Sequence, residues 1–210
     1  MLELVIFDAD GVLFDSVESN TAYYNAIFAE VGEPPLSPDE ERAGIFMAAT
    51  QIFELRASED EAKLARLREV ARTIDFSPFF KLLRPPFELR PFLLDLKRSY
   101  RVALATNRSA TTYGLIDHLG LGGVFDAVAS ARDKVLPKPA PDIVRLCLER
   151  AGVAPERAVY VGDSQIDLEA ASGAKAHFLG VGVRVICPYR VATLAEVPAA
   201  LERMFTRPIS

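Results

Sequence analysis

The sequence predicts an α/β fold, a doubly wound parallel sheet interrupted by an inserted α-helical domain, and three observations predict it. In the second half of the 210-residue chain, short apolar runs alternate with helix patterns, which is typical of a parallel sheet covered by helices on both faces. The stretch from about 16 to about 86 has helical periodicity and no strand pattern. Polar residues follow the ends of several predicted strands, the edge at which open parallel sheets bind ligands.

The first element is a buried strand over LELVIF, residues 2–7, and a helix follows over 17–31, where apolar residues recur at spacings of three and four. The motif SPDE at residues 37–40 has the pattern of a helix start, with a capping box and a proline at the first helical position. The motif SEDE at residues 58–61 repeats the capping box before a further helix. These starts predict helices through most of the stretch after the first strand.

The stretch RPPFELRP, residues 84–91, breaks this regularity with three prolines, and the alternation of strands and helices begins after it. Four further strands are predicted, at 101–105, 124–129, 158–162 and 176–181. Helices are predicted from about 110, over 141–151, after 162 and over about 194–205. We therefore expect a helical domain over 16–86, inserted into a core made of 1–15 and 87–210.

The composition is that of an ordinary globular protein, with half of the residues hydrophobic, a quarter charged and a formal net charge of -5. This acidic balance, without a Lys/Arg run, disfavours a nucleic-acid partner. No apolar run approaches the roughly 20 residues of a membrane span, and no signal peptide is recognisable, so we expect no membrane partner and, by default, a cytoplasmic location. The two cysteines, Cys147 and Cys187, are too few for a disulfide framework and match no metal motif.

Polar residues gather at the ends of three predicted strands and on one proline-flanked loop. They are Asp8, Asp10, Thr106, Asn107, Lys138, Asp163 and Asp167. Lys138 lies between two prolines, which favours a stiff loop that holds an ammonium in one place at low entropic cost. Several carboxylates cannot stay gathered without a cation, and oxygen ligands with no His or Cys nearby favour Mg²⁺ over zinc. The sequence therefore predicts a divalent metal that faces a phosphate group.

Four short motifs occur in a fixed order along the chain. They are DADGVLFDS from residue 8, TNR from residue 106, KPAPD from residue 138 and GDSQID from residue 162. With these four motifs the chain resembles the haloacid dehalogenase superfamily of phosphatases, in the branch of phosphoglycolate phosphatases and β-phosphoglucomutases that carries a helical cap after the first motif. The resemblance implies a Rossmannoid catalytic core, a helical cap over 16–86, Mg²⁺ as cofactor and a small phosphorylated metabolite as substrate. The resemblance does not decide whether the protein is a monomer or a dimer.

The resemblance also implies roles for the acidic residues. Asp8 would be the nucleophile that forms an aspartyl-phosphate, and Asp10 the general acid and then the base that activates water. Asp8, the backbone carbonyl of Asp10 and Asp163 would be the metal ligands. Asp167 would hold a metal-bound water or pair with Lys138, with a helix-start aspartate as the alternative. If the other motifs were absent, Asp8 would be interpreted as a residue that caps a helix or a turn, and Asp10 as a turn residue before a glycine.

The remaining core candidates would act on the phosphoryl group or the leaving group. Thr106 and the backbone N–H of Asn107 would hydrogen-bond the phosphoryl oxygens, and Lys138 would neutralise their charge in the transition state. A solvated surface lysine is the usual alternative for Lys138, and its flanking prolines argue against it. Arg108 could reach the leaving group.

In the predicted cap, the residues that could contact substrate are equally compatible with surface positions. They are Asn20, Tyr23, Arg42, Thr50 and Arg84, with Phe46 and Met47 better explained by packing. β-Phosphoglucomutases carry a histidine at the position of Asn20, and the two histidines of this chain, His118 and His177, both fall in the predicted core. That departure weakens a mutase assignment.

The function we expect is a Mg²⁺-dependent phosphatase, similar to phosphoglycolate phosphatases, that acts through an aspartyl-phosphate. One alternative is a phosphosugar mutase, which differs in releasing no inorganic phosphate. The other is a regulator that binds a phosphorylated ligand without turnover. It is less favoured because such proteins usually lose Asp8 or Asp10, and this chain keeps both.

Overall fold

The computed structural model describes residues 1–44 and 49–205, and only the backbone of residues 42–44, 49 and 50. Phe46 and Met47 therefore lie outside the described residues, as do the side chains of Arg42 and Thr50. The chain divides into two compact units, Met1–Asp15 with Pro85–Ser210 and Ser16–Arg84. We call the first the core unit and the second the helical unit.

In the described residues, the core unit forms a six-stranded parallel sheet. Its strands are β1 Leu4–Phe7, β2 Arg101–Thr106, β3 Ala127–Ser130, β4 Ala158–Gly162, β5 His177–Val181 and β6 Arg190–Val191. They lie in the order β3-β2-β1-β4-β5-β6, so the chain winds outward in both directions from β1. The crevice at the carboxyl ends of β1 and β4, where this direction reverses, is the position at which such sheets bind ligands. The predicted doubly wound α/β fold is confirmed.

The helical unit is built from short helices around an apolar core of its own. They are α1 Val17–Glu30, α2 Pro38–Gly44, α3 Ala49–Ala57, α4 Glu61–Thr73 and a 3₁₀ turn at Ser77–Leu82. Ile27, Phe28 and Leu67 are completely buried in that core. Burying side chains of this size stabilises a domain by about 1.5–3 kcal/mol each, which offsets part of the entropy lost on folding.

One of the two predicted capping boxes is confirmed and the other is wrong in position. The Ser37 N–H donates to the Glu40 carboxylate at 2.8 Å, and the Glu40 N–H donates to the Ser37 hydroxyl at 3.3 Å. α4 instead begins after Asp60, whose carboxylate accepts from the Lys63 N–H at 2.9 Å. Ser58 does not start this helix because it terminates α3, with its N–H donating to the Glu54 carbonyl and its φ at +54°.

The helices of the core unit flank the sheet. They are α5 Leu89–Leu96, α6 Thr112–His118, α7 Asp142–Ala151, α8 Gln165–Gly173 and α9 Val197–Phe205. α5 was not predicted, because Pro91 reads as a breaker in the sequence. In the structure it falls in the first turn of α5, where the backbone N–H has no helical acceptor to lose. No helix in the described part of the chain has the length and apolar character needed to cross a bilayer.

Candidate active site

The predicted polar residues meet at the carboxyl edge of the three central strands. Phe7 of β1 is in register with Leu104 of β2 and Val161 of β4, so the residues after these positions lie side by side. Asp8 follows β1, Thr106 ends β2 and Asp163 follows β4, and all three side chains are buried. Their convergence follows from the parallel register, because it brings the carboxyl ends of neighbouring strands to one edge.

Lys138 is the centre of this cluster and is only 4% exposed. Its ammonium lies 2.7 Å from Oδ1 of Asp8 and 2.7 Å from Oδ1 of Asp167. Asn107 holds the loop by two hydrogen bonds: its side-chain oxygen accepts from the Lys138 N–H at 2.7 Å, and its amide donates to the Lys138 carbonyl at 3.0 Å. The alternative of a solvated lysine is therefore wrong. The Asn107 side chain positions the lysine, a role that the sequence did not suggest.

Asp167 is fully buried in the first turn of α8 and is fixed by several donors. Besides Lys138, it accepts from the N–H groups of Asp163 and Ser164, each at 3.2 Å, and from the Ser164 hydroxyl. Ser164 and Asp167 form a reciprocal capping box at the start of α8. Asp167 thus pairs with Lys138, which is one of the two roles considered for it. It also caps the start of α8, which was the alternative to a role in the site.

Asp10 is held by Arg108 through both carboxylate oxygens. The Arg108 Nε lies 2.7 Å from Oδ2 of Asp10, and Nη2 lies 2.6 Å from Oδ1. Such a bidentate pair fixes the geometry of both groups as well as their charges. Gly11 makes the tight turn beyond Asp10 possible, because its φ is +76°, which glycine adopts without strain. A side chain would not fit there, since a Cβ would lie 2.0 Å from Oδ2 of Asp163.

Thr106 and Asp163 complete the cluster. The Thr106 hydroxyl accepts from the Arg108 N–H at 3.2 Å, which links the end of β2 to the arginine that holds Asp10. The Asp163 carboxylate lies 3.2 Å from Nη1 of Arg184, on the loop after β5. Arg184 therefore adds a second guanidinium to the cluster.

Burial and mutual repulsion shift the titration of this cluster. Burial raises the pKa of Asp8 above its ordinary value, while Lys138 opposes the shift and Asp167 adds to it. Burial and the charge of Asp167 raise the pKa of Asp163 to about 6, against the pull of Arg184. Burial disfavours the charge on Lys138, but the carboxylates of Asp8 and Asp167 outweigh it and raise the ammonium pKa. A carboxylate cluster of this kind is stabilised by a further cation.

The donor set fits Mg²⁺. Asp8, Asp163 and Asp167 each offer a carboxylate oxygen, these oxygens lie within 4.8 Å of one another, and all three residues are buried. An all-oxygen site is the kind that Mg²⁺ prefers. Asp167 already accepts from Lys138, from Ser164 and from backbone N–H groups. Asp8 and Asp163 each have one such side-chain partner in the described residues, Lys138 and Arg184, and are therefore the better candidates for direct ligands.

The predicted cap candidates that the structure describes have partners inside the helical unit. The Tyr23 hydroxyl donates to the Ala71 carbonyl at 2.8 Å, Arg84 pairs with Glu18 at 2.8 Å, and the Asn20 amide donates to the Ser16 hydroxyl at 3.3 Å. Substrate contact by these residues stays a prediction, as does the role of the helical unit as a cap.

Three residues of the cluster were missed at the level of sequence: Tyr160, Ser164 and Arg184. Tyr160 has a recognisable signal, because a tyrosine in the buried strand AVYVG must find a partner for its hydroxyl. Ser164 has one too, since it stands three residues before Asp167 in the pattern of a capping box. Arg184 has none, because its contact depends on how the loop after β5 returns to the end of β4.

We expect Mg²⁺ to stabilise the protein more strongly as the pH rises from about 4 to about 7. The folded-state pKa of Asp163, about 6, lies above the ordinary value of 3.8, so the native state without metal binds more protons and loses stability as the pH rises through this interval. Mg²⁺ requires the ionised carboxylate, so its stabilising effect grows over the same interval. Melting temperatures with excess Mg²⁺ and with chelator, measured across this range, check the expectation.

Asp163→Asn is the matched control for this pH series. It should weaken both the Mg²⁺ effect and its pH dependence, because it removes one of the two carboxylates that are candidates for direct ligands; Asp8, whose pKa is also raised by burial, accounts for the dependence that remains. Burial opposes the shift at Asp126, but hydrogen bonds from Lys97 and from the Val102 N–H outweigh it and lower its pKa. A hydrogen bond from Arg150 lowers the pKa of Asp133. Neither shift is in the direction seen for Asp163. A Mg²⁺ effect on the melting temperature that stays constant or shrinks as the pH rises would contradict the assignment of Asp163.

Comparison with known proteins gives a consistent result. A family model for haloacid dehalogenase-like hydrolases matches residues 5–181. A phosphoglycolate phosphatase of Pseudomonas putida is 28% identical over 187 residues, which cover 85% of this chain and 68% of that protein. The fructose-1-phosphate phosphatase of Escherichia coli is 30% identical over 183 residues, with 81% and 91% covered. A subfamily IA hydrolase of the haloacid dehalogenase superfamily from Geobacter sulfurreducens has a TM-score of 0.79 at 28% identity, over 95% of this chain and 96% of that one.

Proposed function

The chain belongs to the haloacid dehalogenase-like hydrolases, and from this premise we propose that it is a Mg²⁺-dependent phosphatase that acts on a small phosphorylated metabolite through an aspartyl-phosphate. The family predicted from the four motifs is confirmed, and as a member of it the protein is a hydrolase of phosphate esters. One observation carries the finer proposal. Asp8 lies at the end of β1 between a buried ammonium and a second carboxylate with which it can share a metal.

Asp8 is the nucleophile in this proposal. One of its oxygens forms a bond to phosphorus while the bond from phosphorus to the leaving oxygen breaks, and Asp10 gives that oxygen a proton. Asp10 then takes a proton from a water molecule, which attacks phosphorus and breaks the bond to Asp8. Inorganic phosphate leaves, and both carboxyl groups return to their starting states.

The other residues bind and orient the phosphoryl group. Lys138 compensates the negative charge on its oxygens, and Thr106 donates a hydrogen bond to them. A bound Mg²⁺, held by Asp8, Asp163 and the backbone carbonyl of Asp10, would supply further positive charge to these oxygens. Buried and fixed groups stabilise the charge of the transition state well, because they need no reorganisation as that charge develops.

Arg108 has two functions in the proposal. Before substrate binds, it orients Asp10 through the bidentate pair, at 2.7 and 2.6 Å. A carboxylate that accepts from both guanidinium nitrogens has no proton to give. Asp10 must therefore leave this pair, take up a proton from solvent and turn the protonated oxygen toward the leaving group. The guanidinium then becomes available to the leaving group of the substrate. The predicted assignment of Arg108 to substrate binding is compatible with this sequence of contacts.

The test is phosphate release from a panel of phosphate esters, with excess Mg²⁺ and with chelator. Relatives are named for phosphoglycolate and fructose 1-phosphate, so these two compounds and further sugar phosphates form the panel. We expect Mg²⁺-dependent release from one or a few compounds. Absence of release from the whole panel by folded, Mg²⁺-loaded protein would contradict the proposal. Conversion of one sugar phosphate into its isomer without phosphate release would favour the mutase alternative instead.

A further inference from the structure

We propose that Tyr160 is a positioning residue that fixes the ammonium of Lys138 beside the nucleophile; the inference rests on the proposed function. An ammonium has three N–H donors. Among the described residues, the Lys138 nitrogen lies 2.7 Å from Asp8 and from Asp167, 2.8 Å from the Tyr160 hydroxyl and 3.5 Å from the Ala105 carbonyl. Tyr160 thus supplies the nearer of the two uncharged contacts, at a distance close to that of the two carboxylates.

The direction of the hydrogen bonds follows from the chemistry of the groups. An ammonium cannot accept a hydrogen bond, so the Tyr160 oxygen accepts from Lys138 and its own proton is left for another acceptor. The Ala105 carbonyl lies 2.9 Å from this oxygen, and the Asp167 carboxylate lies farther away, at 3.3 Å. Tyr160 therefore links the lysine to the backbone of β2, one residue before Thr106.

The tyrosine is itself held rigidly. It is completely buried in β4, and its ring stacks on Phe178 of β5 with the planes 9° apart and the centroids separated by 6.3 Å. Burial, together with the charges of Asp8 and Asp167, raises the pKa of its hydroxyl well above the ordinary value, so the group keeps its proton. A hydroxyl on a packed strand is a fixed point from which the long lysine side chain can be located.

The proposed reaction needs such a fixed point because Asp8 changes its charge during the cycle. Once Asp8 forms the acyl phosphate, its own carboxylate charge is lost, and the phosphoryl oxygens compete for the ammonium with Asp167, which lies 2.7 Å from the same nitrogen. Without a third contact, the position of the lysine would depend on the balance of these two attractions, which changes at each step. Tyr160 opposes the resulting movement of the lysine through a hydrogen bond that does not change during the reaction.

The test is Tyr160→Phe, which removes one oxygen atom and keeps the ring that packs on Phe178. We expect kcat for phosphate release to fall about 10- to 100-fold, the range of a hydrogen bond to a charged group, with KM changed less than about threefold. The matched control is Cys147→Ala, which removes the buried thiol that contacts the Leu104 carbonyl of β2 at 3.2 Å. Its kcat should stay within about twofold of the wild type, although its stability falls.

A double-mutant cycle with Lys138→Arg separates positioning from general damage. If Tyr160 acts through the lysine ammonium, Tyr160→Phe should cost less than about threefold in the arginine background. An undiminished loss in that background would overturn the proposal. So would an unchanged kcat in Tyr160→Phe, a rise in KM alone, or an equal loss in Cys147→Ala. If Lys138→Arg is inactive or unfolded, the proposal is tested by comparing kcat of Tyr160→Phe with kcat of Cys147→Ala.

The proposed function is established separately from this inference. Mg²⁺-dependent phosphate release by the wild type that is lost in Asp8→Asn shows the reaction. An unaltered kcat in Tyr160→Phe then removes the positioning role alone.

Discussion

Asp8→Asn is expected to lower the turnover number at least about 10⁴-fold while the protein stays folded, because an amide is not a nucleophile toward phosphorus. The substitution preserves the size of a buried side chain, and the ammonium of Lys138 keeps its ion pair with Asp167 at 2.7 Å. Burial disfavours the Asp8 charge and raises its pKa, so a neutral side chain relieves part of that cost. The melting temperature without Mg²⁺ is therefore expected not to fall.

The measurement is the kcat of phosphate release on the best ester of the panel, together with melting temperatures by circular dichroism. Asp126→Asn is the control, since it neutralises a carboxylate of the core unit that pairs with Lys97, at 2.8 Å. It should keep turnover within about twofold of the wild type. An Asp8→Asn protein that retained about one hundredth of wild-type turnover would remove Asp8 from the nucleophilic role.

Lys138→Met is expected to have the largest effect on stability, about 3–5 kcal/mol, because removing one partner of a buried ion pair leaves uncompensated charge. Here two buried carboxylates, Asp8 and Asp167, lose the same ammonium. The free energy of unfolding, measured by denaturant titration in chelator, checks the expectation. Adding Asp167→Asn to Lys138→Met should restore part of the loss, since it removes one of the two unpaired charges.

Lys97→Met provides the comparison for that measurement. Lys97 makes an ion pair with Asp126 at the similar distance of 2.8 Å, but its side chain is 24% exposed. Pairs that keep contact with water contribute about 1 kcal/mol or less. If Lys138→Met cost no more than Lys97→Met, the cluster around Asp8 would not depend on its buried ammonium, and the electrostatic account of the site would be wrong.

The strands that form the site are predictable because a buried parallel strand reads as an apolar run. β4 has the predicted bounds, Ala158–Gly162. β3 was expected to begin at residue 124 but begins at Ala127. Asp126, just before it, lies outside the strand, and its side chain accepts from the Val102 N–H at 2.8 Å. β6 was missed because Arg190–Val191 is too short to show periodicity.

The residues of the site divide in the same way. Asp8, Asp163 and Lys138 are predictable because a charge at the end of an apolar strand, or between prolines, is anomalous in the sequence. The sequence indicates that a buried Tyr160 needs a partner for its hydroxyl, but the identity of that partner, like the contact of Arg184, is found only with the fold, because it depends on which strands are neighbours and where loops return. Local pattern therefore identifies the reactive groups, while the groups that position them depend on long-range packing.

The central claim is a covalent phosphoryl group on Asp8, and direct labelling tests it. Wild-type protein and the Asp8→Asn and Asp10→Asn variants are mixed with a ³²P-labelled ester, quenched in acid and digested, and the peptide that contains Asp8 is analysed by mass spectrometry. In the wild type we expect a label on Asp8 that is stable in acid and labile in alkali. Asp10→Asn should accumulate more of this label when the ester has a leaving group that needs no proton. Asp8→Asn should carry none. Continuous phosphate release without label on that peptide, or label at another residue, would contradict the account.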